Sequence, residues 1–401
     1  MSCAAPFAVP GNAAAMRDLL PPHTLAAGLL AAFVGFASSF AVVLRGLTAA
    51  GASPAQAASG LMALAVAMGL CGILLSLRTR MPVSVAWSTP GAALLASSGA
   101  IAGGFPVAVG AFLASALLVV LAGWWKPLGR WVAAIPATLA SAMLAGVLFG
   151  LCLAPVRAVA QMPGPALAVI AAWAIAGRLH RLLAVPAAVI VAFGIILAMP
   201  GAPIAASWPI PVPVMPQFTL QALIGTAIPL FLVTMASQNI PGLATLGLYG
   251  YRPAPGPLFR ATGLFSVAAA FLGGHAVNLA AITAALCANE DAHPDPAQRW
   301  KAAVVNGVGY ILFGLLAGFV TAFVAAAPVL VEAVAGLALL GALGGSLQGA
   351  MAVPEQREAA IVTLLVTASG TAFAGISGAF WGLLAGGAML ALSRFRRPLE
   401  P

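Results

Sequence analysis

The scarcity of charged side chains constrains this chain more than any other feature of its sequence. Only 25 of its 401 residues are Lys, Arg, Asp or Glu, whereas 62% are apolar. A soluble domain carries about 25% charged residues, so this chain is too poor in charge to be a soluble enzyme or a disordered protein. Its basic residues are scattered between apolar runs, which is typical of a multi-pass membrane protein and argues against nucleic-acid binding.

No motif points to a cofactor, a metal site or catalysis. The four cysteines stand far apart, without the paired spacing of a zinc site or a disulfide framework. Catalysis inside a membrane needs clustered His, Glu, Asp or Cys residues, and the sequence has no HExxH motif, no histidine box and no haem-type pair of histidines. We therefore expect no cofactor and no enzymatic activity, and we expect the lipid bilayer rather than nucleic acid as the surrounding partner.

Charges, Pro clusters and Gly pairs divide the chain into apolar segments, each of which needs about 20 residues to cross a bilayer. The division predicts a short arm at 1–23, a Pro-rich connector at 200–217 and a basic tail at 394–401. Segments 1 to 7 are 24–45, 57–77, 82–101, 106–125, 131–153, 165–179 and 182–199, all within 24–199. Segments 8 to 14 are 218–239, 257–273, 275–289, 303–324, 328–349, 357–374 and 376–393, all within 218–393. A hydropathy plot alone would give about 11 or 12 helices, because several of these segments are short.

The basic residues support this division. With fourteen segments and cytoplasmic termini, fifteen of the 17 Lys and Arg residues fall on the cytoplasmic side, and only Arg45 and Arg157 fall outside. Cytoplasmic loops carry the basic excess in membrane proteins. Merging one pair of segments would invert every later loop and destroy the asymmetry.

Because seven is an odd number, the two sets of segments have opposite orientations in the membrane. Inverted repeats are common in secondary transporters, in which interrupted segments at matching positions of the two halves point to the binding site. The predicted fold class is therefore an all-α polytopic membrane protein, with fourteen transmembrane segments arranged as a 7+7 inverted repeat.

The third segment of each half is interrupted. In segment 3, residues 83–87 alternate at strand spacing, and Ser88 or Thr89 can cap a helix that has Pro90 in its first turn. In segment 10, the glycines at 273–274 permit a break, and Asn278 could cap a second half-helix. Two helix starts meeting near the midplane would present N–H groups to an anion. The alternative is that the proline merely kinks a full-length helix.

A long and unusual stretch, Pro82-Val-Ser-Val-Ala-Trp-Ser-Thr-Pro-Gly-Ala-Ala-Leu-Leu95, closely resembles the signature of the benzoate:proton symporter (BenE) family. Further matching stretches occur in the expected order at 51–56, 236–243, 250–253, 274–279 and 290–295. The resemblance runs from about residue 24 to the end of the last segment.

The resemblance implies a symporter in the bacterial inner membrane that imports benzoate, or a related aromatic acid, together with protons. It also implies the fold shared by uracil transporters and the sulfate-transporter (anion-exchanger) group. In that fold, segments 1–4 and 8–11 form a core domain, and segments 5–7 and 12–14 form a gate domain that often dimerises. Short strands in segments 3 and 10 precede half-helices, and the substrate lies between these and segments 1 and 8. Another organic anion or a nucleobase is the alternative substrate, and a homodimer is one open alternative for the assembly.

Benzoate combines a planar ring with one carboxylate, so its site needs hydrogen-bond donors and an apolar slot. Gln238 and Asn239 stand where the related uracil transporters carry acidic ligands, and acids there would repel an anion. An ordinary helix–helix hydrogen bond is the alternative for Gln238. The candidate substrate-binding residues are Phe33, Phe36, Ser39, Trp87, Ser88, Thr89, Pro90, Gly91, Gln238, Asn239 and Asn278.

The aromatic candidates come from two segments. Phe33, Phe36 and Ser39 share one face of segment 1 because they follow one another at intervals of three residues. Trp87 precedes the first half-helix, and its ring is the third candidate contact. Packing against lipid or within the core is the alternative for each of these rings.

Proton coupling requires a titratable group, or entry of the substrate as the neutral acid. His275 adjoins the second half-helix, and histidine titrates near neutral pH. Glu290 ends segment 10, and Glu332 is the one acid well inside a predicted segment. Glu332 could instead reach outer water, and Glu290 could belong to a network of loop charges with Arg299 and Lys301.

Overall fold

The computed structural model describes residues 20–125, 127, 136–180, 183–199, 208–371, 373 and 376–395. Most of the arm predicted at 1–23, part of the connector at 200–217 and most of the tail at 394–401 therefore lie outside the described residues. Within the described ranges the chain is mostly helical, with one two-stranded sheet.

The helices of the described residues are numbered here in chain order. Before residue 200 they are α1 (Pro22–Ala37), α2 (Phe40–Ala49), α3 (Pro54–Thr79), α4 (Thr89–Ser98), α5 (Phe105–Trp124), α6 (Ala137–Cys152), α7 (Ala154–Gln161), α8 (Pro163–Leu179) and α9 (Ala184–Ala198). After it they are α10 (Leu220–Leu248), α11 (Pro255–Ala270), α12 (Ile282–Ala288), α13 (Trp300–Leu315), α14 (Ala317–Ala326), α15 (Pro328–Ala350), α16 (Arg357–Ala368) and α17 (Gly378–Phe395). The strands are β1 (Val85–Trp87) and β2 (Val277–Leu279).

Long apolar helices make this a membrane protein. In the part of the chain that the structure describes, six helical stretches are long and apolar enough to cross a membrane: Pro22–Ala49, Pro54–Thr79, Phe105–Trp124, Ala137–Gln161, Leu220–Leu248 and Pro328–Ala350. The pair Pro296–Leu315 and Ala317–Ala326, which is bent by 57°, would make a seventh. Shorter apolar helices include α8 and α9.

Helix α10 continues past the predicted end of segment 8. The prediction ended this segment at residue 239 because Ile240-Pro241 follows, whereas the helix runs on to Leu248. Two π-helical turns, Leu223–Ala227 and Met235–Asn239, each end one residue before an Ile-Pro pair. Proline has no N–H to donate and crowds the preceding turn. The wider π turns accommodate the prolines without ending the helix, and such turns are frequent at functional sites.

The two strands pair with each other inside the helical bundle. β1 runs antiparallel to β2, with Ala86 opposite Asn278. The pairing extends beyond both strands, because Ser88 N–H donates to Ala276 O at 3.0 Å and Ala280 N–H donates to Ser84 O at 3.1 Å. Extended backbone at membrane depth must be satisfied within the protein. The strands predicted in segments 3 and 10 are thus confirmed. Each strand supplies hydrogen-bond partners for the backbone of the other.

Most helix contacts fall within two sets of helices. In the first set, α3 packs against α13 and α11, α5 packs against α11, and α1 packs against α13 and α12. In the second set, α6 packs against α15 and α16, α16 packs against α17, and α8 packs against α9. We name these the first and the second helix group. The first group also includes α2, α4 and α10, because α2 packs against α3, α4 packs against α2 and α10 packs against α5. The two groups meet where α4 contacts α6 and where α15 contacts α2.

Glycines allow the closest approach between helices of the first group. A Cβ atom at Gly307 of α13 would lie 2.7 Å from the carbonyl oxygen of Gly69 in α3, and 2.6 Å from Cγ1 of Ile73. Real Cβ atoms do not approach a backbone oxygen this closely, so a larger residue at Gly307 would force α3 and α13 apart.

We expect Gly307→Val to lower the free energy of unfolding by about 1–3 kcal/mol, the usual cost of overpacking. The matched control is Gly341→Val in α15, because a Cβ atom there would meet nothing within 4 Å. Both substitutions place the same β-branched residue inside a helix. Thermal unfolding in detergent should separate them, and equal melting temperatures would contradict the tight α3–α13 contact.

Candidate functional site

A cavity of about 710 Å³ lies between the two helix groups, beside the β1–β2 pair. Its volume falls in the range of about 300–1,000 Å³ that is usual for small-molecule sites. The first group contributes residues from α1, β1, α13 and the starts of α4 and α12, together with the π-helical part of α10. The second group contributes residues from α6, α9 and α15. We call this space the first cavity.

No charged side chain lies among the described residues that line the first cavity. Its polar groups are hydroxyls, an amide and backbone N–H groups. Hydrogen bonds between such neutral groups and a bound ion are stronger in a poorly hydrated interior than in water. The cavity can therefore hold an anion only through neutral donors.

The polar groups at the start of α4 have two roles: some stabilise the fold, and others face the cavity. Ser88 is fully buried and caps the helix, since its Oγ accepts the Gly91 N–H at 3.1 Å and a hydrogen bond from Thr234 at 3.0 Å. Pro90 lines the cavity but has no N–H to offer. Thr89 also lines the cavity, is half-buried, and its hydroxyl has no hydrogen-bond partner among the described residues. Thr89 is therefore the free donor at this helix start, while Ser88 is occupied.

Gly91 serves the packing of α4 rather than the cavity lining. A Cβ atom at this position would lie 2.6 Å from Cδ1 of Leu230 in α10 and 2.7 Å from Ser88 Oγ. Gly91 is buried and is not among the residues that line the first cavity. The missing side chain lets α4 approach α10 closely, and the structure does not bring Gly91, a candidate substrate-binding residue, to the lining of the first cavity.

The second half-helix begins later than predicted. Asn278 does not cap it, because Asn278 lies inside β2 and is fully buried there. Strand pairing keeps the chain extended as far as Ala280, and α12 starts at Ile282 after Ala281, with no side-chain cap. The backbone N–H groups of Ala281 and Ile282 have no partner among the described residues, and both residues line the first cavity.

Gln238 and Asn239 point in different directions from the second π turn of α10. Asn239 is fully buried; its Oδ1 accepts the Leu279 N–H at 2.9 Å, and its Nδ2 donates to Met235 Sδ at 3.3 Å. It therefore holds the end of β2 and does not reach the cavity lining. Gln238 is half-buried, lines the first cavity, and has no side-chain partner within the described part of the chain.

The predicted aromatic residues separate into one that reaches the cavity and two that support it. Trp87 lines the first cavity, and its Nε1 donates to Ser39 Oγ, which also lines it, at 2.8 Å. The ring of Phe36 lies 5.1 Å from that of Trp87, and the ring of Phe33 lies 6.3 Å from that of Phe313. Neither phenylalanine lines the cavity, so the packing alternative fits both rings.

His275 is buried directly behind the start of α4. Its Nε2 lies 2.8 Å from the Ser88 carbonyl oxygen and donates to it, because a carbonyl can only accept. Its Nδ1 has no partner among the described residues. The ring of Phe112 meets the imidazole edge-on at 6.3 Å. His275 does not line the first cavity, but it contacts Ser88, which caps α4.

The two glutamates lie away from the first cavity. Glu290 is exposed on the turn after α12, and Glu332 in α15 pairs with Arg45 of α2. The alternative in which Glu290 joins a network of loop charges with Arg299 and Lys301 is not observed among the described residues, because neither cation forms an ion pair with an acid there. Arg299 is buried, and it donates to the carbonyl oxygens of His293 at 2.7 Å and Ala288 at 2.8 Å. Backbone carbonyls of the turn lie closer to the guanidinium than the exposed acids do.

The sequence reasoning missed the lining that the second helix group provides. Ala338, Ala342 and Ser346 recur every four residues along one face of α15 and line the first cavity. This stripe of small residues was the available signal. It also missed Gly35 of α1, where a Cβ atom would collide with the Tyr310 hydroxyl. That contact joins residues far apart in the sequence and leaves no local pattern.

Comparison with known proteins gives a consistent match. The family model described as benzoate membrane transport protein, BenE, matches residues 18–392. The chain is 43% identical to the inner membrane protein YdcO of Escherichia coli (strain K12) over 377 residues, covering 92% of this chain and 95% of that protein. It is 34% identical to the benzoate membrane transport protein of Acinetobacter baylyi (strain ATCC 33305 / BD413 / ADP1), covering 90% and 92%.

Two solved structures of anion transporters share the fold. The transmembrane domain of the cyanobacterial bicarbonate transporter BicA aligns with a TM-score of 0.59 at 15% identity, covering 90% of this chain and 97% of that one. SLC26A9 aligns with a TM-score of 0.61 at 13% identity, covering 97% and 70%. At these identities the likeness concerns the fold alone.

The division of roles at the start of α4 predicts different stabilities for two neighbouring variants. Ser88→Ala removes the helix cap and the acceptor of Thr234, so we expect it to cost about 0.5–2 kcal/mol of unfolding free energy. Thr89→Ala removes a hydroxyl that has no partner among the described residues, so its unfolding free energy should stay within about 0.5 kcal/mol of the parent's. Chemical denaturation of the purified proteins would test this, and equal destabilisation would refute the assignment of Ser88 as the cap.

Proposed function

Because the chain belongs to the BenE family of benzoate membrane transport proteins, we propose that it imports benzoate, or a related aromatic monocarboxylate, together with protons by alternating access. It is a multi-pass membrane transporter and not an enzyme. We place it in the bacterial inner membrane, as its E. coli relative is described. The observation that carries the proposal is the first cavity, in which uncharged donors from two interrupted segments converge beside an indole ring.

The lining of the first cavity suits both parts of an aromatic acid. The Thr89 hydroxyl, the Gln238 amide and the N–H groups at the start of α12 can donate to a carboxylate. Trp87, Pro90 and Leu144 offer apolar surface to a ring. None of the described residues that line the first cavity is an acid, so no carboxylate among them repels the anion.

The proposed mechanism assigns the two helix groups different movements. We propose that the described helices belong to fourteen segments in a 7+7 inverted repeat, that the first group is a core that carries the substrate, and that the second is a gate. A homodimer would form through the gate. The cavity lies between the groups, as alternating access requires. In the predicted topology, the parts of α6, α9 and α15 that line it lie near the cytoplasm, so this conformation opens inward.

A nucleobase or another organic anion is the alternative substrate. Gln238 supports this alternative, because an amide can both donate to and accept from the polar edge of a base. A competition panel of benzoate, salicylate, uracil and dicarboxylates against labelled benzoate would separate these substrate classes. Strong competition by uracil alone would favour the nucleobase.

We expect Gln238→Leu to raise the KM for benzoate uptake by about tenfold or more, since a hydrogen bond to a charged group contributes roughly 1.5–3 kcal/mol. The matched control is Gln348→Leu, which makes the same change at an exposed position of α15 outside the cavity lining. Uptake by whole cells, normalised to protein in the membrane, measures both. Equal KM values would remove Gln238 from the site.

We propose His275 as the proton carrier, because of the three candidates it alone contacts the helix start at the cavity. Glu290 is exposed, and Glu332 is paired with Arg45. In proteoliposomes, an imposed pH gradient should drive labelled benzoate accumulation by the parent protein, and a protonophore should abolish it.

The variant His275→Gln keeps a side-chain donor for the Ser88 carbonyl but cannot titrate. It should retain benzoate exchange across the membrane and lose gradient-driven accumulation, whereas the control Glu290→Gln should keep both. Accumulation by His275→Gln would place the proton elsewhere. If the parent protein itself ignored the gradient, symport would be refuted.

A further inference from the structure

A second cavity, of about 460 Å³, lies at the other end of the contact between the helix groups. Helix α15 lines both spaces: residues 338–346 face the first cavity, and residues 328–336 face the second. The remaining walls come from α2, α3, α6, α7 and α14. Nothing in the proposed transport step uses this cavity.

Charge distinguishes the second cavity from the first. Among the described residues that line it, the charged ones are Arg45, Arg157 and Glu332, which together carry a single net positive charge. Arg45 and Arg157 are also the two basic residues that the predicted topology leaves on the outer side of the membrane. The two arginines that depart from the cytoplasmic excess of basic residues thus both line the second cavity.

The two arginines are engaged differently. Arg45 of α2 forms an ion pair with Glu332 of α15, and so joins the first helix group to the second. Arg157 of α7 is exposed and forms no hydrogen bond or ion pair with the described part of the chain. A guanidinium presents paired N–H groups that match the two oxygens of a carboxylate. Arg157 is therefore free to bind an anion that enters the cavity.

The rest of the lining is suited to a small aromatic or aliphatic group. Val42, Leu44, Leu151, Val324 and Val329 surround the charged residues with apolar surface. The volume again falls in the range of about 300–1,000 Å³ for small-molecule sites. A ligand with one carboxylate and one apolar end fits both the charge and the walls.

We propose that the second cavity is an anion-recruiting site that binds the monocarboxylate substrate through Arg157 on the side opposite the opening of the first cavity. This inference rests on the proposed function, because it takes the transported anion as the ligand. The bound carboxylate competes with Glu332 for Arg45. Recruitment therefore weakens the ion pair that holds α2 to α15, at the place where the groups must part to admit the substrate from outside.

The test compares the KM for uptake of labelled benzoate by intact cells. Arg157→Gln should raise KM about three- to tenfold at low ionic strength, because it removes a charge-assisted contact and the net positive charge of the cavity. High salt should shrink the difference, since exposed charges are screened. Arg157→Lys should restore part of the affinity. The matched control is Arg78→Gln, which removes an exposed arginine that lies outside both cavities and has no hydrogen-bond or ion-pair partner among the described residues.

The variant Glu332→Gln distinguishes an anion-recruiting site from an ion pair that only stabilises the fold. It removes the competing carboxylate and raises the cavity's net charge, so it should lower KM about two- to fivefold, the direction opposite to Arg157→Gln. Equal KM values for Arg157→Gln and Arg78→Gln at every salt concentration would overturn the recruiting site. A rise in KM with Glu332→Gln would overturn it as well.

The two proposals fail in different ways. If the parent protein takes up benzoate and the arginine variants do not differ, only the recruiting site is refuted. If the parent protein takes up no aromatic carboxylate, the proposed function falls, and the recruiting site falls with it.

Discussion

Pairing between β1 and β2 is the interaction on which the rest of this structure depends. A membrane interior offers no water to unpaired backbone groups, so extended chain can exist there only if another part of the protein satisfies it. Each strand does this for the other, and Asn239 closes the end of β2 by accepting the Leu279 N–H. The pairing brings the starts of α4 and α12 to one place. The first cavity lies where they meet.

The two cavities differ in charge: among the described residues, three charged side chains line the second cavity and none lines the first. In the described part of the chain, all polar groups that line the first cavity are uncharged, whereas two guanidinium groups and one carboxylate line the second. The exposed guanidinium groups of Arg45 and Arg157 would attract an anion to the second cavity without the large cost of burying a charge. In the proposed function, the neutral donors of the first cavity would hold the anion less strongly than a charged group would, and so would let the substrate leave again.

Local patterns predicted much of the fold but less of the site. The alternation at 83–87 and the cap signal at Ser88 located β1 and α4 correctly, because both depend on neighbouring residues. The same reasoning ended segment 8 at the proline and made Asn278 a helix cap. The first prediction failed because a π turn accommodates the proline within a continuous helix. The second failed because strand pairing keeps the chain extended at Asn278. Of the eleven candidate binding residues, Ser39, Trp87, Thr89, Pro90 and Gln238 line the first cavity.

The sequence by itself determined that this chain lies in a membrane, where its interrupted segments occur and that Ser88 could begin a helix in the first of them. These properties follow from composition and local spacing, which act over a few residues. Only the tertiary structure decided which polar groups are already paired. Ser88 and Asn239 have partners from other segments, whereas Thr89 and Gln238 face the cavity without any among the described residues. Whether a donor is free depends on contacts between distant segments, and no local pattern encodes those.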